Sequence, residues 1–155
     1  MAKRRTKRRG AVPPPKCKAI LLCDQTIIEA GTGKVSIIGV FDGFMLPKLP
    51  FLSRPCMVFV QLADGIGSHA VEVEVHDLTN GTVIARGAVR KEINWPERPS
   101  KHNLLIPLPP LPITHTGGYD LVIFARGQEI DRQKFTVTVV SPPPEEHSPE
   151  ETDNE

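Results

Sequence analysis

Alternation of apolar and polar residues is the clearest pattern along the chain. In residues 71–76 three valines alternate with two glutamates and a histidine, and in residues 134–139 Phe135, Val137 and Val139 alternate with a lysine and two threonines. A period of two is that of a strand with one buried face. The pattern therefore predicts two half-buried strands whose valines and Phe135 point into a core.

Three further segments, residues 35–46, 57–63 and 119–125, are largely apolar on both faces. Short runs rich in β-branched residues favour strands over helices, and no segment of ten residues shows a helical stripe. A strand that is apolar on both faces is typical of the middle of a sheet, so all three are predicted to be central. With strands also at 18–23 and 103–108, the sequence predicts an all-β antiparallel sandwich of seven or eight strands.

Turn residues separate the predicted strands. Asn80-Gly81 lies between residues 71–78 and 82–89, and Asn-Gly favours the positive φ angles of a tight hairpin turn. Residues 31–34 are Gly-Thr-Gly-Lys, but the full spacing of a phosphate-binding loop is missing and a strand rather than a helix follows. This segment is therefore interpreted as a second hairpin loop.

Prolines mark one segment as different from the others. Residues 104–113 contain Pro107, Pro109, Pro110 and Pro112. Because a proline cannot donate to a ladder of hydrogen bonds, the segment is predicted to be an edge strand or a crossover between two sheets. Its Pro-x-x-Pro spacings also match ligands of proline-reading modules, but the flanking arginine of such ligands is absent.

Charge is concentrated at the two ends of the chain. The 155 residues include 19 Lys and Arg against 18 Asp and Glu. Residues 1–16 contain seven basic residues and no acid, whereas residues 142–155 contain six acids, four prolines and no Lys or Arg. Such segments bury too little apolar surface to offset the entropy of ordering. The sequence therefore predicts a disordered basic arm at 1–16, a sandwich domain at 17–141 and a disordered acidic tail at 142–155.

Cysteine usage and the basic start bear on localisation. Cys17, Cys23 and Cys56 cannot all pair with one another, and we expect reduced thiols. The basic start lacks the apolar stretch of about 7 to 15 residues of a secretory signal, which also argues against a twin-arginine signal. The longest apolar runs are far shorter than the roughly 20 residues that span a membrane. We expect a cytoplasmic protein without a membrane span.

Several stretches together are similar to a known family of small bacterial proteins. They are residues 18–25 (KAILLCDQ), 33–42 (GKVSIIGVFD), 107–112 (PLPPLP) and 117–121 (GGYDL). Over residues 17–140 the chain resembles a domain of unknown function with an immunoglobulin-like β-sandwich. The resemblance implies that fold and no activity, ligand or catalytic residue. Tyr119 also resembles the corner tyrosine of immunoglobulin-like domains, whose hydroxyl bonds to nearby backbone.

The basic arm is the feature with the most direct physical consequence. Six cations within seven residues would attract phosphate backbones, with a salt slope on DNA of up to about −5 if all six displace counterions. No aromatic residue lies among them to stack on bases, so such binding would be blind to sequence. A solubilising tail, or an arm that folds back on the acidic tail, are the alternatives. The candidate nucleic-acid contacts are Lys3, Arg4, Arg5, Lys7, Arg8 and Arg9.

Residues suited to catalysis or metal binding are sparse. Neither Cys-x-x-Cys nor His-x3-His spacing occurs, and Cys17 and Cys23 would stand about 20 Å apart on a straight strand, so no metal site is predicted. The side chains of Cys23 and Asp24 would point to opposite faces, and an acid raises a thiol pKa. The sequence therefore predicts no cofactor and no enzymatic activity. A rival hypothesis places an enzyme site on loops around His102 or His115.

Trp95 is the remaining candidate contact. Beside Pro96 it is expected to be exposed in a long loop, where it could contact a protein partner or cap one end of the sandwich. The favoured function is a non-catalytic interaction or scaffold module of the bacterial cytoplasm. An accessory nucleic-acid-binding protein that acts through the basic arm is the alternative. The sequence identifies neither the protein partner nor the oligomeric state.

Overall fold

A computed structural model describes residues 12–96 and 100–144, which form thirteen strands and no helix. The predicted arm residues Lys3 to Arg9 and the end of the predicted tail lie outside the described residues. In chain order the strands are β1 (Lys16–Ile28), β2 (Val35–Phe41), β3 (Gly43–Leu46), β4 (Phe51–Leu52), β5 (Cys56–Ala63), β6 (Gly67–His69), β7 (Val71–Asp77), β8 (Thr82–Ala88), β9 (Ile93–Trp95), β10 (Lys101–Leu108), β11 (Pro112–Ile113), β12 (Gly117–Ala125) and β13 (Gln128–Val139).

Nine of these strands build two large sheets that share one hydrophobic core. The four-stranded sheet has the order β10-β5-β1-β2, and the five-stranded sheet has the order β3-β13-β12-β7-β8. Val58 and Val60 of the first sheet and Val73 and Leu121 of the second belong to the same buried cluster. Burying a side chain of this kind contributes about 1.5–3 kcal/mol. The predicted all-β class is confirmed.

The predicted hairpin at Asn80-Gly81 is confirmed, and it joins β7 to β8. Gly81 has a φ of 72°, a left-handed conformation that glycine adopts without steric cost. The Asn80 side-chain oxygen accepts hydrogen bonds from the Thr82 backbone N–H at 3.0 Å and from the Thr82 hydroxyl at 2.7 Å. The turn pairs Asp77 with Thr82, and a register shift between Val75 and His76 then places Glu74 opposite Arg86.

The predicted inward faces are confirmed with one exception. Val71, Val73 and Val75 are buried, and so are Phe135 and Val137.

The exception is Val139, which the alternation placed in the core but which is exposed. The last residue of β13 opposite β12 is Val137, and Val139 pairs only with Leu46 of the short strand β3. β13 extends beyond the end of β12. The alternation of apolar and polar residues therefore continues at Val139, although the core no longer covers the strand there.

The edge and centre predictions have a mixed outcome. β5 and β12 are central as predicted, and β10, which contains Pro107, is an edge strand as predicted. The prediction for residues 35–46 is wrong, because a bend at Asp42 divides the segment into β2 and β3, which lie at the edges of different sheets.

The strand count also differs from the predicted seven or eight, and the sheets are not wholly antiparallel. The thirteen strands of the described residues include five of two to four residues, β3, β4, β6, β9 and β11. β3 runs parallel to β13. Strands of two to four residues are too short to show a periodicity. Their pairing partners are also distant in the sequence, so the local pattern does not predict them.

Candidate interaction surface

Trp95 is buried, so the expectation that it is exposed in a loop is wrong. Trp95 is only 2% exposed and lies at the end of β9, which pairs with β6. The indole ring stands between the imidazoles of His69 and His102, with ring centroids 5.4 and 4.8 Å apart in edge-to-face geometry. A Cβ at Gly65 would overlap the indole, so glycine permits this close approach. The alternative role of closing one end of the domain fits this position.

His69 and Trp95 each bury a polar atom. The Nε2 atom of His69 lies 2.9 Å from the carbonyl oxygen of Ile66. His69 Nδ1 and Trp95 Nε1 are buried without a hydrogen-bond partner in the described structure. The alternation pattern gave no signal for this cluster, because its three rings come from three different strands.

A second buried polar cluster surrounds Asp77 at the end of β7. Its carboxylate accepts a hydrogen bond from the Thr79 backbone N–H at 2.8 Å and lies 2.9 Å from Nδ1 of His115. Burial alone would raise the pKa of Asp77, but the bonds from Thr79 and His115 hold that pKa below its ordinary value. The Tyr119 hydroxyl donates to the His115 carbonyl at 2.8 Å, which matches the role expected of a corner tyrosine.

The structure keeps the candidate catalytic groups apart. His102 packs against Trp95, whereas His115 contacts Asp77 in the other cluster. Desolvation raises the pKa of the buried Cys56 thiol to about 11, and the pKa of Cys23 is raised by desolvation and by the neighbouring Asp24. Within residues 12–96 and 100–144, no three His, Cys, Asp or Glu side chains are grouped to hold a metal ion.

The outer face of the four-stranded sheet is apolar. Val58, Val60 and Leu62 of β5 point into the core, so the alternate residues point outward. Paired residues share a face, and three ladder rows therefore lie outside. We name this surface the apolar face. Its first row is Leu105, Phe59 and Leu21, its second row is Pro107, Met57, Cys23 and Val40, and its third row is Ile38 beside Gln25. Phe59 does not belong to the core cluster. It is nevertheless only 8% exposed, because its row neighbours cover it.

Polar and basic rows border the apolar face at the end where β1 begins. Asn103, Gln61 and Ala19 form the next row, and the Gln61 amide donates to Asn103 at 2.9 Å. Beyond it, Lys16 and Lys101 flank Ala63. Lys16 also forms an ion pair with Asp64 at 3.6 Å. The outward surface of this sheet thus changes from apolar to charged along the strands.

The outer face of the five-stranded sheet is charged instead. Glu74 accepts a hydrogen bond from Arg86 at 3.1 Å and contacts His76 at 2.7 Å. On the neighbouring strands Arg132 donates to Asp120 at 2.9 Å and also bonds to Glu129. These ion pairs lie on a surface of mixed sign, which is typical of a face that water covers.

Sequence reasoning missed the apolar face. Apolar residues on both sides of residues 57–63 are the available signal, and they predict a central position in the sheet. The position is central within its sheet, as predicted, but no described element lies over the outward side of Met57 and Leu105, which stay half exposed. A strand in the middle of a sheet has hydrogen-bonded neighbours on both edges, but other elements need not cover both of its faces.

These observations define an all-β, two-sheet domain with one apolar and one charged outer face. The sequence from residue 18 to residue 138 matches a family of unknown function, DUF6941, and the chain belongs to that family. The expected similarity to a domain of unknown function is thereby confirmed. No curated protein matches the chain. The described residues include no helix that could cross a membrane.

Proposed function

We propose that the domain is a non-catalytic protein-interaction module and that the apolar face is its docking surface. The observation that carries this proposal is the contrast between the two outer faces of one domain. Contiguous exposed apolar residues on a domain surface are typical of interaction sites, whereas scattered ones are not. Leu105, Met57 and Val40 are contiguous through the ladder, and Val40 is 55% exposed.

The shape and charge of the apolar face suggest the chemistry of its partner. Four strands at a spacing of about 4.8 Å make a surface about 15 Å wide, which suits part of a folded protein surface. The exposed Lys101 at the rim favours acidic residues on the corresponding side of the partner. We therefore propose a protein partner with an apolar centre and an acidic border.

Paired substitutions on the two outer faces test this function. We expect Leu105→Glu to reduce recovery of interacting proteins by about tenfold or more, because a charge in the centre of an interface must lose its water. Phe124→Glu is the matched control, since Phe124 is also half exposed but lies on the charged face opposite Glu72. The measurement is quantitative mass spectrometry of proteins captured by each tagged full-length variant, with circular dichroism to confirm folding. Equal capture by both variants would contradict the proposal.

The absence of catalysis is part of this proposal. It is supported by the separation of His102 from His115 and by thiols whose raised pKa values keep them protonated near neutral pH. Catalysis by acyl transfer needs a nucleophile, a base and an oxyanion donor within hydrogen-bond reach of a common point.

Nucleic-acid binding through the basic arm is the second candidate function. It is favoured by Lys101, which places further positive charge at the end of the domain where the arm joins β1. Full-length protein should bind DNA or RNA with an affinity that falls steeply with salt, with a slope of up to about −5 on DNA from the arm alone. Deletion of residues 1–16 should remove that binding. Equal affinity after the deletion, measured by fluorescence anisotropy across a salt series, would exclude this function.

We infer that the two sheets form an immunoglobulin-like sandwich. The order β13-β12-β7-β8 corresponds to strands G, F, C and C′ of that fold, and β1-β5-β10 corresponds to A, B and E. Tyr119 near the start of β12 bonds to backbone four residues upstream, as a corner tyrosine does. In this assignment β2 is an additional strand beyond A. An experimental structure with another strand order would contradict it.

We also propose a cytoplasmic location. Cys17, Cys23 and Cys56 are all free thiols, although small extracellular domains commonly use disulfides. Fractionation of native cells, followed by detection of the protein in each compartment, tests this location.

A further inference from the structure

We propose that the domain forms a homodimer in which β2 pairs antiparallel with β2 of a second copy about a twofold axis at Ile38. This inference goes beyond the proposed function, because it concerns the edge of the four-stranded sheet rather than its outer face. It rests on the lack of protection at this edge, the direction of its backbone groups and the charges at its two ends.

β2 has the longest run without proline or charge among the four edge strands of the two large sheets, since the equally long β8 contains Arg86. β10 contains Pro107 and approaches β8 so closely that a Cβ at Gly87 would lie 2.8 Å from the Pro107 carbonyl oxygen. β3 has only four residues. β2 has seven residues, none of them proline or charged. Proteins commonly protect sheet edges with proline, charge or short length, so a long uncharged edge indicates a partner strand.

The backbone of β2 presents hydrogen-bonding groups to that partner. The Glu29 N–H donates to the Lys34 carbonyl at 2.8 Å, so this carbonyl points toward β1. Carbonyl groups alternate in direction along a strand, and that of Ile38 therefore also points toward β1, while the polar groups of Val35 and Ile37 point to the open edge. Gly39 has a φ of 68° and is not paired in the ladder with β1, so its own polar groups depart from this alternation, although the register with β1 is the same on both sides of it.

A twofold axis at Ile38 makes the two edges complementary. In an antiparallel pair about this axis, Ile38 faces Ile38 of the second copy in a non-hydrogen-bonded pair, with Cα atoms about 4.5 Å apart. Val35 then exchanges backbone hydrogen bonds with Phe41 of the second copy, and Ile37 faces Gly39. Ile38 is 45% exposed in the single chain and would lose much of that exposure.

Charge selects this register over its neighbours. With the axis at Ile38, the exposed Lys34 just before β2 lies beside the exposed Asp42, at the bend that ends β2 in the second copy, and the pair occurs twice. A slip of one residue places Lys34 opposite Phe41 or Gly43 instead. The register with its axis at Ile38 therefore combines two ion pairs with an apolar centre and brings no like charges together.

The dimer would also enlarge the proposed docking surface. The twofold axis between antiparallel strands is perpendicular to the sheet, so both apolar faces point to the same side. Two four-stranded sheets would join into one of eight strands, with Val40 and Ile38 of each copy near the centre.

Sedimentation measurements on the full chain over a concentration series test the dimer. We expect the mass of two chains at high concentration. Ile38→Lys should raise the dissociation constant by about 100-fold, because two lysines would meet at the axis. Met45→Lys is the matched control, since Met45 is 76% exposed on the edge strand β3, and it should leave the dissociation constant unchanged.

A charge exchange tests the register itself. Lys34→Asp and Asp42→Lys should each weaken the dimer by about tenfold, because each turns two attractive pairs into repulsive ones. The double variant should restore the original affinity. A chain that is monomeric at every concentration, a double variant without rescue, or a dimer that resists Ile38→Lys but is lost in Leu105→Glu would each overturn the proposal.

Discussion

The Trp95→Ala variant is expected to lose about 3–5 kcal/mol of unfolding free energy, the cost typical of emptying a buried aromatic site. Trp95 is almost fully buried, and its ring contacts His69 and His102 from two other strands. Since a domain of this kind is stable by about 5–15 kcal/mol, the variant should be close to unfolding at ambient temperature. Urea denaturation followed by circular dichroism measures the change.

Two controls make this result specific to the buried indole. Trp95→Phe keeps an aromatic ring between the two imidazoles and should lose clearly less stability than the alanine variant. Met45→Ala removes a side chain that is 76% exposed and should change the unfolding free energy by less than about 0.5 kcal/mol. Because Trp95 is the single tryptophan, its emission in the native protein should also be blue-shifted relative to the unfolded chain. An alanine variant as stable as Met45→Ala would show that the indole is not buried in solution.

The Asp77→Ala variant is expected to lose about 2–3 kcal/mol at pH 7. It removes a buried carboxylate that accepts a hydrogen bond from the Thr79 N–H and contacts the His115 ring, and hydrogen bonds to charged groups contribute about 1.5–3 kcal/mol. Asp77→Asn keeps an acceptor oxygen of the same size and should lose less. Thermal and urea unfolding of the two variants beside the natural chain measure both effects.

The same carboxylate should make stability depend on acid. The folded-state pKa of Asp77 lies below its ordinary value of 3.8, so its charge stabilises the native state above that value. This contribution is lost as the pH falls through the lower, folded-state pKa. The stability difference between the natural chain and Asp77→Asn should therefore shrink as the pH falls below 3.8. A difference that grows below pH 3.8 would contradict the assigned hydrogen bonds.

Much of the local structure was predictable because its causes are local. The hairpin at Asn80-Gly81 needs only a residue that tolerates positive φ and a side chain that bonds two residues ahead. The inward direction of Val73 follows from the strand period, and the hydrogen bond from Tyr119 to nearby backbone follows from a short motif. Each of these features is decided within a few residues of the chain.

The candidate surface was not predictable in the same way. Leu21, Phe59 and Leu105 come from three strands, and only the register of β1, β5 and β10 places them in one row. The burial of Trp95 likewise depends on β6 and on His102, which meet it only after the chain has folded. Neither neighbour can be read from the residues around Trp95, and Pro96 beside it indicated a loop.

The sequence by itself determined that this chain is made of strands, where its tightest turns lie and which side of the clearest strands is apolar. These properties depend on side-chain alternation and on backbone preferences of single residues. Only the tertiary structure decided that one outer face stays apolar while the other carries ion pairs, and that β2 ends as an open edge. The physical reason is that burial is a relation between segments far apart in the chain, so a strand that is apolar on both sides does not record which side will be covered.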